Sequence, residues 1–248
     1  MTAQAATLDA AIFQALEATW PPVRWHTADG WRVGEGAGGG QRVSAGIAQA
    51  PVAKPADLVQ AQRGLGQVPL AMVRQGAEPL DAALAEAGWT VRDPTVALAA
   101  PVGNLAETPP RLTAFEVTWP PLAIQAEIWA AGGIGPARIA VMERAAVPKI
   151  SLLGRVDDRP AATAFVACDG PLAMVHALEV LPERRRARVG WHLMQAAALW
   201  AGRMGAESLA VLVTRANAPA VALYRALGMV EITSYHYRAL ETPDAGTA

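Results

Sequence analysis

Four arginines at the start of a predicted helix are the part of the sequence with the clearest chemical meaning. Residues 180–190 read VLPERRRARVG, and we expect a strand to end at Val180 and a helix to begin near Val189. The first backbone N–H groups of a helix have no partner within it, so they attract anions. Cations are unfavourable at this positive pole of the helix dipole, by about 0.3–1 kcal/mol each when exposed. The arginines are Arg184, Arg185, Arg186 and Arg188. The pattern favours an anionic ligand here, the alternative being a solvated cluster of charges.

Regular elements on both sides would position this segment. Upstream, the pattern predicts a strand over 114–118, helices over 121–131 and 136–145, and strands over 149–154, 162–168 and 173–180. Downstream it predicts a helix over 189–204, a strand over 208–214, a helix over 219–227 and a strand over 232–238. Antiparallel strands followed by alternating strands and helices are typical of an α/β domain with a mixed sheet.

The first half of the chain shows a related but weaker pattern. It predicts helices over 7–20, 55–64 and 78–87, and strands over 31–33, 42–47, 68–73 and 95–101. The loop GEGAGGG lacks the GK[ST] ending of a phosphate-binding loop and runs into an expected strand, so we interpret it as a hairpin connection. Residues 102–110 read as a linker, which puts a domain boundary near residue 112 and predicts domains over 1–112 and 113–248. The segments LDAALAEAGWTVRDPTVALA and AVALYRALGMVEITSYHYRA share a helix, glycine, strand order, which duplication of one fold would explain.

Composition narrows the classes of partner. The 21 basic and 22 acidic residues nearly cancel, which argues against nucleic acid or an anionic membrane as a partner. The single cysteine, Cys168, cannot form an internal disulfide, and the four histidines show no metal-ligand spacing. Because neither a secretion signal nor a membrane-spanning run of apolar residues is evident, we expect a cytoplasmic protein without a metal. We leave open whether it forms a homodimer.

The segment from about residue 178 to 229 resembles the acetyl-CoA site of the GCN5-related N-acetyltransferase (GNAT) superfamily. That pattern has a strand ending in Val, then Pro, then Arg or Gln followed by xxGxG or xxGxA. Val180, Pro182 and the run RRARVG from Arg185 to Gly190 match it. Further matches are Asn217, Ala220, Leu223, Tyr224, Leu227 and Gly228. The family's first loop glycine is replaced by Arg188, which must turn outward or hold a phosphate itself. The resemblance implies two GNAT-like domains, of which the N-terminal one is degenerate.

The resemblance also implies how acetyl-CoA would be bound. Backbone groups of the strand would meet the pantetheine arm as an added strand does, and these residues are Leu178, Glu179 and Val180. The loop and the helix start would hold the diphosphate, through Arg185, Arg186, Ala187, Arg188, Val189, Gly190 and Trp191. Asn217 would hold the arm from the far side, and Tyr224 would lie near the sulfur.

Acyl transfer to an amine needs a proton for the departing thiolate and a base for the amine. Tyr224 suits the first role, since a phenol keeps its proton at neutral pH. His176 is the first choice for the base, because MVHALEV resembles a strand of arylalkylamine N-acetyltransferases and simple alternation puts His176 on the face of Leu178 and Val180. Glu179 would then point to the opposite face. The alternatives are a packing tyrosine and a structural histidine.

These expectations together predict an N-acetyltransferase that moves an acetyl group from acetyl-CoA to a primary amine of a small molecule or protein. The alternative is a non-catalytic module that binds acyl-CoA or a partner.

Overall fold

A computed structural model describes residues 3–50, 53–107 and 113–241, with the side chains of residues 3–7 left out. The elements in chain order are α1 (Ala3–Thr19), β1 (Trp25–Ala28), β2 (Trp31–Gly34), α2 (Gln41–Ser44), β3 (Gly46–Ala48), α3 (Pro55–Gly64), β4 (Leu70–Arg74), α4 (Glu78–Glu86), β5 (Thr90–Pro101), α5 (Val102–Ala106), β6 (Ala114–Thr118), α6 (Ala123–Ala131), α7 (Pro136–Arg144), β7 (Lys149–Val156), β8 (Arg159–Asp169), β9 (Leu172–Val180), a 3-10 turn (Pro182–Arg184), α8 (Val189–Arg203), β10 (Ser208–Thr214), α9 (Ala218–Ala226) and β11 (Val230–Ala239).

The chain forms two compact units that interleave along the sequence. The large unit comprises Met1–Pro21, Ala97–Val213 and Asn217–Ile232, and the small unit comprises Pro22–Val96, Thr214–Ala216 and Thr233–Ala248. Strands β5 and β11 each run from one unit into the other. The predicted α/β fold with mixed sheets flanked by helices is confirmed.

The large unit is a mixed sheet with helices on both faces. Its strand order is β5, β10, β9, β8, β7, β6, in which β9 and β10 are parallel and β6 to β9 are antiparallel. Helix α8 packs on one face, where its Val189 and Leu193 lie over Gly154 and Ala162. Thr163 and Phe165 point to the other face, towards α6 and α1. Alternation along β8 therefore separates the two helical layers.

The small unit has the strand order β1, β2, β3, β4, β11, β5 and its own apolar core. Trp31, Leu58, Leu84 and Trp89 form the centre of that core. The buried Gln62 joins the chain around it, because its side-chain amide donates to the carbonyls of Ser44 and Leu70 and its oxygen accepts from the amide of Leu70. Buried polar side chains are tolerated when they are bonded in this way.

Two predicted elements of the first half are wrong. Residues 42–47 do not form one strand, since the glycine loop enters the short helix α2 before β3 begins at Gly46. The linker assigned to 102–110 begins with α5, whose Val102 packs against Gly202 of α8, while residues 108–110 lie outside the described residues. Strand β1 was not predicted.

The two similar sequence segments, LDAALAEAGWTVRDPTVALA and AVALYRALGMVEITSYHYRA, form the same local structure. Gly88 lies two residues after the end of α4 and Gly228 two residues after the end of α9, both with φ near 80°. The amide of Trp89 donates to the carbonyl of Leu84, as that of Met229 does to the carbonyl of Tyr224. Leu84 and Tyr224 are thus equivalent positions of one helix ending. The duplication, and the boundary near residue 112 between the repeats, stay predictions.

Candidate functional site

A β-bulge in β9 shapes the centre of the large unit. Phe165 of β8 pairs with His176, but Thr163, two residues earlier, pairs with Glu179, so β9 has one residue more than β8 over this stretch. Ala177 takes a left-handed φ of 50° there. The buried indole of Trp129 in α6 donates to the Ala177 carbonyl at 2.8 Å and fixes the bulge.

Beyond the bulge, β9 leaves its parallel neighbour. The described pairing of β9 with β10 covers Leu172–Val175 and Ser208–Val211 and ends there. The rest of β9 remains paired with β8 on its other side, through Glu179 and Val180. The two parallel strands therefore part at their carboxyl ends, the edge where ligands bind in sheets of this kind.

The bulge overturns the predicted arrangement of side chains along β9. An extra residue reverses the alternation, so His176 and Glu179 share the face covered by α1 and α6. Leu178 and Val180 point to the opposite face, where they approach Gly190 of α8. The prediction that His176 shares a face with Leu178 and Val180 is wrong, and so is the argument that set Glu179 aside. To predict these faces, the sequence would have had to reveal the extra residue in β9. An alanine within a strand gives no sign of a bulge.

The loop between β9 and α8 is exposed over residues 185–188 and leads directly into the helix at Val189. Arg186 and Arg188 have left-handed φ values of 64° and 58°, and both are exposed. Arg188 is the N-cap residue of α8 and adopts the left-handed conformation that glycine usually takes. Its side chain lies in solvent, which corresponds to the outward orientation considered from the sequence. Gly190 lets α9 approach, because a Cβ there would lie 3.3 Å from Leu223 Cδ2.

Arg185 links this loop to the strand. Its Nε donates to the Val180 carbonyl at 3.4 Å, and its Nη2 lies 3.9 Å from Glu179 Oε1. Arg184 lies further away, with Nη1 3.7 Å from Asp157 Oδ2. The predicted cluster of four arginines therefore has two members paired with carboxylates and two in solvent.

Glu179 occupies a confined position next to the bulge. A Cβ on Gly132, at the end of α6, would lie 2.6 Å from Glu179 Cγ and Oε2, so glycine leaves room for this side chain. Burial raises the pKa of the Glu179 carboxyl, and the Arg185 guanidinium and the Val180 amide offset part of that rise. The carboxyl end of α6 also disfavours a negative charge. A carboxyl group with these neighbours can take up a proton more readily than an ordinary glutamate.

His176 lies in an aromatic cluster rather than in an open cleft. Its ring is 3% exposed and lies 5.0 Å from the ring of Trp20 and 6.1 Å from that of Phe165, between centroids. His176 Nε2 is 2.9 Å from the Thr19 hydroxyl, whose single hydrogen goes to the Ala15 carbonyl. Nε2 must therefore donate to Thr19, and a further proton would have to enter at the buried Nδ1.

Tyr224 and Asn217 both belong to α9. Tyr224 is 7% exposed, and burial raises the pKa of its phenol to about 12. Asn217 begins the helix, and its Oδ1 accepts from the Ala220 amide at 3.3 Å. The bond orients the Asn217 side chain.

In the described part of the chain, histidine, cysteine and carboxylate side chains do not form a group of three that could hold a metal. Over the same residues, helices long and apolar enough to cross a bilayer are absent.

Residues 115–229 match the model of the acetyltransferase (GNAT) family. This range contains the bulged strand, the arginine loop, α8 and Tyr224. It is a GNAT-family domain. No curated protein sequence matches the chain.

Solved structures share a fold with most or nearly all of the chain. A GCN5-related N-acetyltransferase from Kribbella flavida is 20% identical, with a TM-score of 0.67 over 97% of each chain. A conserved protein of unknown function from Staphylococcus epidermidis is 10% identical, with a TM-score of 0.69 over 95% of this chain and 100% of the other. A tandem GNAT protein from the clavulanic acid biosynthesis pathway is 17% identical, with a TM-score of 0.54 over 75% and 68% of the two chains. At these sequence identities, the likeness shows a shared fold and nothing further.

Proposed function

We propose that the protein transfers an acetyl group from acetyl-CoA to a primary amine of a small molecule or protein. The observation that carries this proposal is the separation of β9 from β10 after Val175, together with the exposed loop that leads into α8. A strand edge and a helix start in one place offer hydrogen bonds to the amides of pantetheine and to a diphosphate.

Each part of acetyl-CoA has a candidate set of residues. The backbone of Leu178, Glu179 and Val180 would pair with the pantetheine arm. The amides between Arg186 and Trp191 would hold the diphosphate, because left-handed residues turn successive N–H groups into anion-binding concavities. The exposed Arg186 and Arg188 add positive charge. Asn217 would contact the arm from α9.

The reaction needs one proton removed and one supplied. The amine nitrogen attacks the thioester carbon, the C–S bond breaks, and the thiolate leaves with the proton that Tyr224 donates. Because burial raises the pKa of the Tyr224 phenol to about 12, the phenol is protonated at neutral pH and holds the proton that the sulfur needs. The base removes a proton from the amine.

The base is either His176 or Glu179. His176 is the residue that the sequence favours, but its Nε2 donates to Thr19 and its Nδ1 is buried. Glu179 gains support from the bulge, from its partial exposure and from the raised pKa of its carboxyl. We therefore add Glu179 as the second candidate and separate the two by mutation.

A binding titration and a thiol-release assay test the proposal. We expect acetyl-CoA to bind by calorimetry, and free CoA to appear when members of a panel of aryl, alkyl and peptidyl amines are added. Binding without turnover across the panel, at saturating amine, would instead support the second candidate function, a module that binds acyl-CoA.

A cytoplasmic location belongs to the same proposal, since the sole cysteine forms no internal disulfide and a reducing compartment suits it.

A further inference from the structure

Arg185 connects two parts of the proposed donor site. It belongs to the loop that would hold the diphosphate, yet its guanidinium contacts the strand that would hold pantetheine. The Val180 carbonyl accepts a hydrogen bond from Arg185 and the Glu179 carboxylate forms an ion pair with it, and both groups lie on β9 beyond the bulge. A single guanidinium cannot keep these contacts and also turn fully towards a phosphate, since its donors lie in one rigid plane.

The two partners of this ion pair differ in freedom. The Glu179 side chain is 23% exposed and is confined beside Gly132 at the end of α6. The Arg185 side chain is 62% exposed and follows a short 3-10 turn. Arg185 is therefore the partner that can move when a stronger anion arrives.

We propose that Glu179 and the diphosphate of CoA compete for the Arg185 guanidinium. Arg185 forms an ion pair with the Glu179 carboxylate, and donor binding would transfer Arg185 to the diphosphate. The inference rests on the proposed function, because it requires CoA to bind at this loop. Its consequence is an order of events: Glu179 loses its neighbouring cation only after the donor is in place, so a carboxylate beside the bulge becomes available to an amine at that stage.

Calorimetric titration of CoA into four variants tests the competition. Removing the competitor should tighten binding, so Glu179→Gln should lower the Kd for CoA by about two- to fivefold, the range for a partly exposed ion pair. Arg185→Gln should raise the Kd by about tenfold, through loss of a charge-assisted contact with phosphate. The double variant should match Arg185→Gln, since Glu179 has nothing left to compete for.

Glu183→Gln is the matched control, because Glu183 carries the same charge in the 3-10 turn and is exposed. It measures the general gain from removing a negative charge near an anionic ligand. Pantetheine, which lacks the diphosphate, is the control ligand and should bind wild type and Glu179→Gln equally. Glu179→Asp, with a shorter reach to Arg185, replaces Glu179→Gln if the latter fails to fold.

The outcomes are distinguishable. Equal affinities of Glu179→Gln and Glu183→Gln for CoA would overturn the competition and leave the proposed function intact. The same holds if Glu179→Gln tightens pantetheine as much as CoA. A folded wild-type protein that binds no CoA contradicts the proposed function and, with it, this inference.

Discussion

Tyr224 is the side chain whose environment fits a chemical role most directly. Because burial raises the pKa of its phenol to about 12, the group stays protonated over the whole range of an enzyme assay. The turn that follows α9 stabilises its place, because the Tyr224 carbonyl accepts a hydrogen bond from the Met229 amide. A protonated phenol in this position can donate a hydrogen bond to the sulfur as the thiolate leaves carbon.

Replacing Tyr224 by phenylalanine tests the acid directly. We expect kcat to fall by about 10²-fold or more, the usual contribution of a general acid, with the Kd for acetyl-CoA nearly unchanged. Steady-state kinetics and calorimetry on the same preparation measure both quantities. Tyr235→Phe is a matched control, since Tyr235 is also buried but lies in β11. Unchanged kcat in Tyr224→Phe would remove this phenol from the mechanism.

The pH dependence of kcat/KM separates the two candidate bases. A carboxylate must be ionised to accept a proton, so activity carried by Glu179 is present above the pKa of its carboxyl and is lost as the pH falls through it. Because burial raises that pKa, the acidic limb should lie above pH 4.5, the ordinary value for glutamate. We expect Glu179→Gln to abolish this limb and His176→Gln to leave it in place. The reverse result would return the role of base to His176.

At the scale of single elements, the bulge in β9 decides which side chains meet. It reverses the faces of Glu179 and Val180, and it coincides with the point at which β9 leaves β10. Ala177, a non-glycine residue, adopts the positive φ at the bulge. The Trp129 indole donates a hydrogen bond to the Ala177 carbonyl. The site geometry therefore depends on two residues that have no chemistry of their own.

Ala177→Gly should stabilise the protein. A left-handed φ costs alanine roughly 1 kcal/mol, whereas glycine adopts it freely, so we expect the free energy of unfolding to rise by about 0.5–1 kcal/mol. Chemical denaturation measures the change. Ala173→Gly, in the regular and buried part of the same strand, should destabilise the protein instead. A loss of stability in Ala177→Gly would show that the methyl group contributes more through packing than it costs through φ.

The sequence predicted most elements of the large unit, because their apolar spacing is regular and their ends carry proline or glycine. Strand β6 of this unit matches the predicted bounds, as does helix α3 of the small unit. It did not predict the bulge, since one inserted residue leaves the hydrophobic pattern of LAMVHALEV unchanged. It also missed α2, since four residues after a glycine loop are too few for helical periodicity to appear.

At the scale of the whole molecule, the compact units do not follow the order of the chain. The small unit contains Thr233–Ala239 of β11, which pairs with β4 over five residues. The large unit contains α1, which packs on β8 and β9; its last residue, Thr19, and the following Trp20 surround His176. The sequence indicated two related halves, but local patterns cannot show which half a terminal element joins.

Fragments cut near residue 112 should therefore fold poorly alone. Fragment 1–112 lacks β11, the neighbour of β4, and fragment 113–248 lacks α1 and β5. We expect each fragment to show broad thermal unfolding and rapid proteolysis, and coexpression to restore a protease-resistant complex. A fragment 113–248 that unfolds cooperatively and binds acetyl-CoA on its own would contradict this and would support an autonomous second domain.

The buried position of Cys168 allows its thiol to report local opening of the structure. The thiol is 3% exposed near the end of β8, its Sγ lies 3.4 Å from the Gly170 carbonyl, and burial raises its pKa. Reagents that react with thiolates should hardly label the native protein, so they would detect the CoA released in turnover with little background. In the absence of substrate, the slow rate of Cys168 labelling would instead measure how often the β8–β9 hairpin separates from its neighbours.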